Sequence, residues 1–416
     1  MPAGFYWLIA AQFLSALADN ALLIVTIALL QEQGMAAWWA PLLKFALTIA
    51  YVLLAPAVGP LADAVPKGRL MAAMNAIKTL GVVALFMHVH PVLAFAIVGL
   101  GAAGYAPAKY GLVTELVGPA KLVAANSWIE VSVVCAVLLG TVLGGGLVTD
   151  ALRHTEWADA CQSAAAALGL PLVSNLALSL LVLLGVYAAS GLLQWGVPDS
   201  HARYPQAGVH PAALLRNFVH SNRTLWRDAD GGLSLAVTTL FWGVGATLQF
   251  TVLGWAHDSL GLPLAQAAYL QGVVALGVVA GATLAGHCVP LCHAKRVLPA
   301  GVVLGLLIST VAITHSLWLA LPLLVLVGMV GGILLVPMNA LLQHRGHQLL
   351  TAGRSIAVQG YNENLSILVM LASYAGLLAL NAPIVPLMTG FGLVIAAAMA
   401  ALLIFKRGLL HAQAAA

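Results

Sequence analysis

The side chains able to do chemistry in this sequence are few, and most lie inside apolar runs. Asp19 and Asn20 interrupt Phe13-Leu-Ser-Ala-Leu-Ala-Asp19-Asn20-Ala-Leu-Leu, and Lys109 sits in Tyr105-Ala-Pro-Ala-Lys109-Tyr-Gly111. Glu130 and Glu363 stand in two further runs, Glu363 between Asn362 and Asn364. Gln249 follows Gly243-Val-Gly-Ala-Thr-Leu, and Asn339 and Gln343 share Val336-Pro-Met-Asn-Ala-Leu-Leu-Gln343. Ionisable groups in apolar spans face a cavity or a partner. Asp19, Asn20, Lys109, Gln249, Asn339 and Glu363 are therefore the candidate binding residues.

Signals for bond-making or metal chemistry are weak. His287-Cys-Val-Pro-Leu-Cys-His293 carries metal-type ligands at irregular spacing, and His344-Arg-Gly-His347 belongs to a basic loop; neither has the further ligands of a closed zinc site. His154-Thr-Glu-Trp-Ala-Asp159 fits a glycerolipid acyltransferase pattern, but it falls in a short loop with no soluble domain around it. The four cysteines are too scattered for a disulfide framework. No catalytic residue, metal, cofactor or nucleic-acid partner is expected.

The elements that hold these groups are membrane helices. The 416 residues are 62% hydrophobic and only 7% charged, where an ordinary globular domain has about 25% charged residues. A span needs about 20 apolar residues, and apolar runs fall near 5–30, 39–61, 69–89, 91–112, 122–148, 171–197, 232–255, 263–286, 297–315, 318–342, 355–379 and 383–405. The first run is longer than the apolar region of a signal peptide and lacks a basic leader, so it is read as a span. An even count puts both chain ends on one side.

Lys67, Arg69, Lys121, Arg203, Arg216, Arg223, Arg227, Lys295, Arg296, Arg345, Arg354, Lys406 and Arg407 fall on the loops of one side, and Arg153 alone on the other. The positive-inside rule makes the first side, with both termini, cytoplasmic. Between spans six and seven, residues 212–226 interleave Leu214, Leu215, Phe218, Val219 and Trp226 with Arg216, His220 and Arg223, a pattern for an amphipathic helix on the membrane surface. Pro107 and Pro337, like Gly101 and Gly331, are 230 residues apart; Lys67 and Lys295 differ by 228, and Glu130 and Gln359 by 229. One register held over four elements indicates a duplicated six-helix unit. The expected organisation is therefore an N-terminal bundle over 1–197, a linker over 198–230 and a C-terminal bundle over 231–416.

Two parallel six-helix halves with a cavity near mid-bilayer resemble the major facilitator superfamily, an all-α, twelve-helix membrane architecture. Gly59-Pro-Leu-Ala-Asp63-Ala-Val-Pro-Lys67-Gly68-Arg69 resembles that superfamily's loop between helices two and three. The resemblance implies a latch: Gly59 permits close helix approach, Asp63 offers a carboxylate to helix amino termini and basic groups, and Lys67 and Arg69 are the basic pair. The corresponding loop of the second half, ending at Lys295 and Arg296, lacks the Asp. Glu130 is a candidate gate residue.

More specific likeness lies in Ala11-Gln-Phe-Leu-Ser-Ala with Asp19-Asn20-Ala-Leu-Leu, Pro107-Ala-Lys-Tyr-Gly111, Val336-Pro-Met-Asn-Ala-Leu-Leu-Gln343 and Ile356-Ala-Val-Gln359. Together these resemble the bacterial lysophospholipid transporter family over essentially the whole chain. The resemblance implies a flippase of the inner membrane that moves lysophosphatidylethanolamine, lysophosphatidylglycerol and related lyso-lipids from outer to inner leaflet. There an acyltransferase that uses acyl-acyl carrier protein restores the missing chain. It also gives weight to Asp19 and Lys109: Asp19 would pair with an ethanolamine ammonium and Lys109 with the phosphate. Asn20, Gln249 and Asn339 would meet glycerol or ester oxygens. Family members carry an Arg in the seventh helix where this chain has Gln249, which bonds oxygen but offers no charge. Two other functions use the same features: a proton-coupled drug or metabolite transporter on the same fold, with Asp19 or Glu363 as proton site, and a membrane-bound acyltransferase.

Overall fold

A computed structural model describes residues 1–35, 39–149, 152, 155–167, 176–202, 204 and 210–414. Arg153, His154, Arg203 and the first residues of the sixth predicted span lie outside the described residues. Fourteen α-helices are described: α1 (Ala3–Glu32), α2 (Trp39–Ala64), α3 (Lys67–Phe86), α4 (Pro91–Leu116), α5 (Leu122–Leu147), α6 (Glu156–Ala167), α7 (Ala177–Gln194), α8 (Pro211–Arg227), α9 (Ala229–Leu260), α10 (Leu264–Cys288), α11 (Leu298–Ala312), α12 (Leu317–Leu349), α13 (Ala352–Ala379) and α14 (Ile384–Ala414).

Among the described residues, eleven helical segments are long and apolar enough to cross a bilayer. One of them joins α11 to the 3-10 stretch Leu291–Val297 that precedes it. α13 has the length, at 28 residues, but Gln359, Asn362, Glu363 and Asn364 lower its hydropathy. With it the spans number twelve, and the architecture is all-helical among the described residues. These helices carry apolar side chains on their outer faces: Leu53, Val142, Leu276 and Ile404 point outward and are each more than 60% exposed. In water such a surface aggregates; in a bilayer it is the lipid-facing wall. The outward Trp157, Trp195 and Tyr269 lie near helix ends, where interfacial aromatics collect.

Local sequence explains the helix limits. Pro91 opens α4, and the His90 ring accepts from the Val92 amide. Asp228 caps α9, its carboxylate accepting from the Asp230 and Gly231 amides at 3.2 and 2.7 Å. Gly261, with φ of +65°, closes the same helix, and Pro263 precedes α10. Several helices outrun the predicted apolar stretches: α4 runs to Leu116, α12 to Leu349 and α14 to Ala414. Hydropathy marks the lipid slab, whereas helical hydrogen bonding continues through polar residues that favour it as well.

The chain forms two compact units. The first comprises 1–117, 135–222 and 350–361; in it α1 packs on α7, α2 and α7 on α3 or α4, and a core runs through Leu22, Val25, Leu43, Val98, Leu180 and Tyr187. The second comprises 118–134, 223–349 and 362–416; there α10 packs on α12 and α11 on α14, around Leu248, Trp255, Leu298, Ile308, Leu324 and Met388. The start of α5 thus belongs to the second unit and the start of α13 to the first.

Candidate functional site

The polar centre of the first unit is built on one face of α1. Gln12, Ser15 and Asp19 follow one another at spacings of three and four, so their side chains stack along one stripe. Cations reach that stripe from two helices. Lys78 of α3 donates to Asp19 Oδ2 at 2.6 Å and to Ser15 Oγ at 3.0 Å, with its ammonium 4.9 Å from the centre of the Tyr105 ring. Lys109 of α4 donates to Gln12 Oε1 at 3.4 Å and lies 4.2 Å from the centre of the Tyr110 ring.

The other oxygen of Asp19, Oδ1, accepts from the Tyr187 hydroxyl of α7 at 2.6 Å. Asn75 supports the arrangement, donating to the Tyr187 carbonyl at 2.9 Å and accepting from Ser15. Lys78 is 3% exposed and Asp19 21%, so the carboxylate is the member of the pair that reaches open space. Asn20 turns back on its own helix and donates to the Ala16 carbonyl at 2.8 Å.

The expectation that the intramembrane charges are Asp19, Lys109, Glu130 and Glu363 was incomplete, for Lys78 stands in mid-span and supplies the nearest cation to Asp19. The cost rule that drew attention to Asp19 applies equally to Lys78. Tyr187 and Asn75 gave no such signal, since a Tyr or Asn in a span is common.

A second polar group joins α2 to α13. Asp63 Oδ1 accepts from the Gly353 amide at 2.8 Å and Oδ2 from the Thr351 hydroxyl, with Arg354 Nε 3.9 Å away. A carboxylate thus caps the amino terminus of α13, where unpaired amides and the helix dipole favour negative charge. Gly59 lets the helices meet: a Cβ there would lie 3.0 Å from Arg354 Cα and from Ala357 Cβ. On the other side, a Cβ on Gly353 would come 2.5 Å from the Gly59 carbonyl oxygen.

Lys67 faces elsewhere, in a buried ion pair with Glu115 of α4 at 2.6 Å. The same Glu115 accepts from Ser200 and, at 3.1 Å, from Tyr204, whose ring centre is 5.4 Å from the Lys67 ammonium. Burial and the Glu115 carboxylate push the Tyr204 hydroxyl up from its ordinary value. Arg69 lines a cavity of about 470 Å³ with Pro66, Gln194, Trp195 and Asp199. Glu115, Thr351 and Arg354 carry partners that no motif in the sequence marked.

The second unit holds the remaining candidates. Asn339 and Glu130 are buried, Glu363 half-buried and Gln249 exposed. One turn beyond Asn339, Gln343 exchanges two amide hydrogen bonds with Asn126 of α5, at 2.8 and 2.9 Å. Trp226 donates to Asn362 at 3.1 Å. Asp228 forms a two-bond pair with Arg345, at 2.6 and 3.2 Å, and Lys295 meets Asp230 at 2.8 Å. Burial would lift the Asp228 carboxyl, but the guanidinium and the capped amides outweigh it and hold the group below its usual range. Among the described residues no three His, Cys, Asp or Glu side chains cluster as metal ligands, and Cys288 and Cys292 are exposed free thiols.

The model of the Major Facilitator Superfamily matches residues 8–358. The lysophospholipid transporter LplT of several Escherichia coli strains is 39% identical over 405 residues, which is 97% of this chain and 96% of that protein. The chain belongs to the lysophospholipid transporter family of the Major Facilitator Superfamily. Solved structures of the superfamily agree in fold. The outward conformation of the transporter FucP aligns with TM-score 0.74 at 16% identity, covering 97% of this chain and 98% of that one. The human organic anion transporter TETRAN aligns with TM-score 0.72 at 15% identity, covering 96% and 100%. Members of the superfamily are multi-pass membrane transporters, as the twelve spans here require.

Proposed function

We propose that this protein carries lysophospholipids across the bacterial inner membrane, from the outer to the inner leaflet, by alternating access. The observation that carries the reading is the likeness to LplT over nearly the whole of both chains. The chemistry of the polar residues supports it. A lyso-lipid has one acyl chain and a phosphate-bearing head, and it needs a few polar partners inside an apolar bundle. Asp19, Asn20 and Lys109 of the first unit and Gln249, Asn339 and Glu363 of the second are the groups proposed to serve the head; Lys109 is the cation for phosphate. The acyl chain stays against apolar helix walls. Lysophosphatidylethanolamine and lysophosphatidylglycerol are the proposed cargoes, delivered to an acyltransferase that draws on acyl-acyl carrier protein.

Gly59, Asp63, Lys67, Arg69 and Glu130 are proposed to gate the cytoplasmic side. The bonds from Asp63 to Thr351 and Gly353 must break for the ends of α2 and α13 to part. The two six-helix halves, 1–197 and 231–416, are proposed as the moving bodies, joined by the linker whose helix α8 lies on the cytoplasmic membrane surface. Its exposed Leu215, Val219 and Trp226 form a stripe beside Arg216, His220, Arg223 and Arg227. Both termini lie in the cytoplasm, where the basic loops belong.

Purified protein in liposomes of phosphatidylethanolamine and phosphatidylglycerol tests the reading. Radiolabelled lysophosphatidylethanolamine placed in one leaflet should cross at a rate that scales with protein content and needs no acyl donor. A rate equal to that of protein-free liposomes, or formation of diacyl lipid by the purified protein alone, would overturn it. Abolition of movement by a protonophore, with drug substrates moved instead, would favour a proton-coupled exporter.

A further inference from the structure

Asp19 already has a cation. Each of its carboxylate oxygens accepts a hydrogen bond of 2.6 Å, one from Lys78 and one from Tyr187. The ammonium of Lys78 is spent on Asp19, Ser15 and the face of Tyr105, and it is shut away from any other anion. An ammonium on the substrate could take Asp19 only by leaving Lys78 buried with a hydroxyl and an aromatic ring, and an uncompensated buried charge is strongly unfavourable.

We propose that Lys78 is the fixed counterion of Asp19, a positioning residue that keeps this carboxylate from reading a head-group amine, so that lyso-lipids are accepted whether or not their head carries an ammonium. This rests on the reading of the protein as a lysophospholipid transporter. Head-group discrimination then falls to the phosphate and glycerol, and the exposed edge of Asp19 accepts from a hydroxyl while remaining paired. Asp19 and Lys78 together behave as one neutral polar surface.

The test is a transport assay in liposomes with lysophosphatidylethanolamine, which has the ammonium, and lysophosphatidylglycerol, which lacks it. Wild type, Asp19→Asn, Lys78→Met, Lys78→Arg and the double variant Asp19→Asn with Lys78→Met are compared for maximal rate and KM. The two lipids should keep the same ratio of rates and of KM in every active variant. Lys78→Met should be slower than wild type by roughly tenfold or more, and the double variant should be faster than Lys78→Met alone, since contacting residues couple strongly. Lys78→Arg, which keeps the cation, should transport.

An Asp19→Asn variant whose KM rises for the ethanolamine lipid alone would overturn the proposal, as would a double variant no better than Lys78→Met. The double variant buries no charge and so should fold even if a single one does not; its ratio of the two lipids then decides by itself. Movement of neither lipid by wild type would overturn the transporter reading and this inference together. Movement of both with selective loss of one in Asp19→Asn would overturn the inference alone.

Discussion

The carboxylate of Asp63 accepts from a hydroxyl and a backbone amide at the start of α13. Replacing it by Ala removes the cap but leaves the polar stripe of α1 untouched. Asp63→Ala should therefore shift the balance between open forms while retaining lysophospholipid binding, as read by spin-label distances between the ends of α2 and α13 alongside equilibrium binding. Loss of binding would contradict a latch role. Lys67 and Glu115 are 1% and 4% exposed and 2.6 Å apart, so removing one partner strands the other. Lys67→Met should cost about 3–5 kcal/mol, seen as a lower unfolding midpoint in detergent, and adding Glu115→Gln should restore part of the loss. Asp63, Lys67 and Arg69 stand two to six residues apart in one motif, yet Asp63 bonds to Thr351 and Gly353, Lys67 pairs with Glu115 and Arg69 lines a cavity. Spacing along the chain identified the motif; the partners Thr351, Gly353 and Glu115 come from distant positions, and no local pattern points to them.

At the scale of elements, the crossing of α2 and α13 depends on two residues without side chains. Gly59→Val would force a Cβ against Arg354 Cα, and overpacking of this kind costs about 1–3 kcal/mol. The variant should show wider α2–α13 distances and a higher rate of cysteine labelling at that end than wild type; unchanged distances would show that the crossing tolerates bulk. The start of α9 depends instead on charge. Asp228 is held below its usual range by Arg345 and two amides, so its contribution is fully present above about pH 4. It is lost as pH falls through the depressed folded value. The unfolding midpoint of wild type should thus drop faster below about pH 4 than that of Asp228→Asn, with the two curves meeting at lower pH. The apolar runs located the spans because each must match a bilayer; they missed the ends of α4, α12 and α14, where the helix continues in polar residues. α6 escaped notice because a 12-residue helix outside the membrane needs no long apolar run.

For the molecule as a whole, composition and the 230-residue register were enough to indicate twelve spans, because excess apolar surface has few solutions in one chain. The binding chemistry was less legible. Asp19 stood out as a lone charge, and only its packing against α3 and α7 shows that it is half of a pair. That pairing bears on energetics beyond recognition. Moving one unit charge through the full membrane voltage involves about 2.3 kcal/mol per 100 mV, whereas a salt bridge that travels intact carries none. If the α1 stripe shifts through the field during the cycle, Lys78 and Asp19 add no gating charge. Flipping of zwitterionic lysophosphatidylethanolamine should then be as fast in liposomes clamped by valinomycin at strongly negative potential as at zero, and Lys78→Met, which leaves Asp19 unbalanced, should acquire a voltage dependence that wild type lacks.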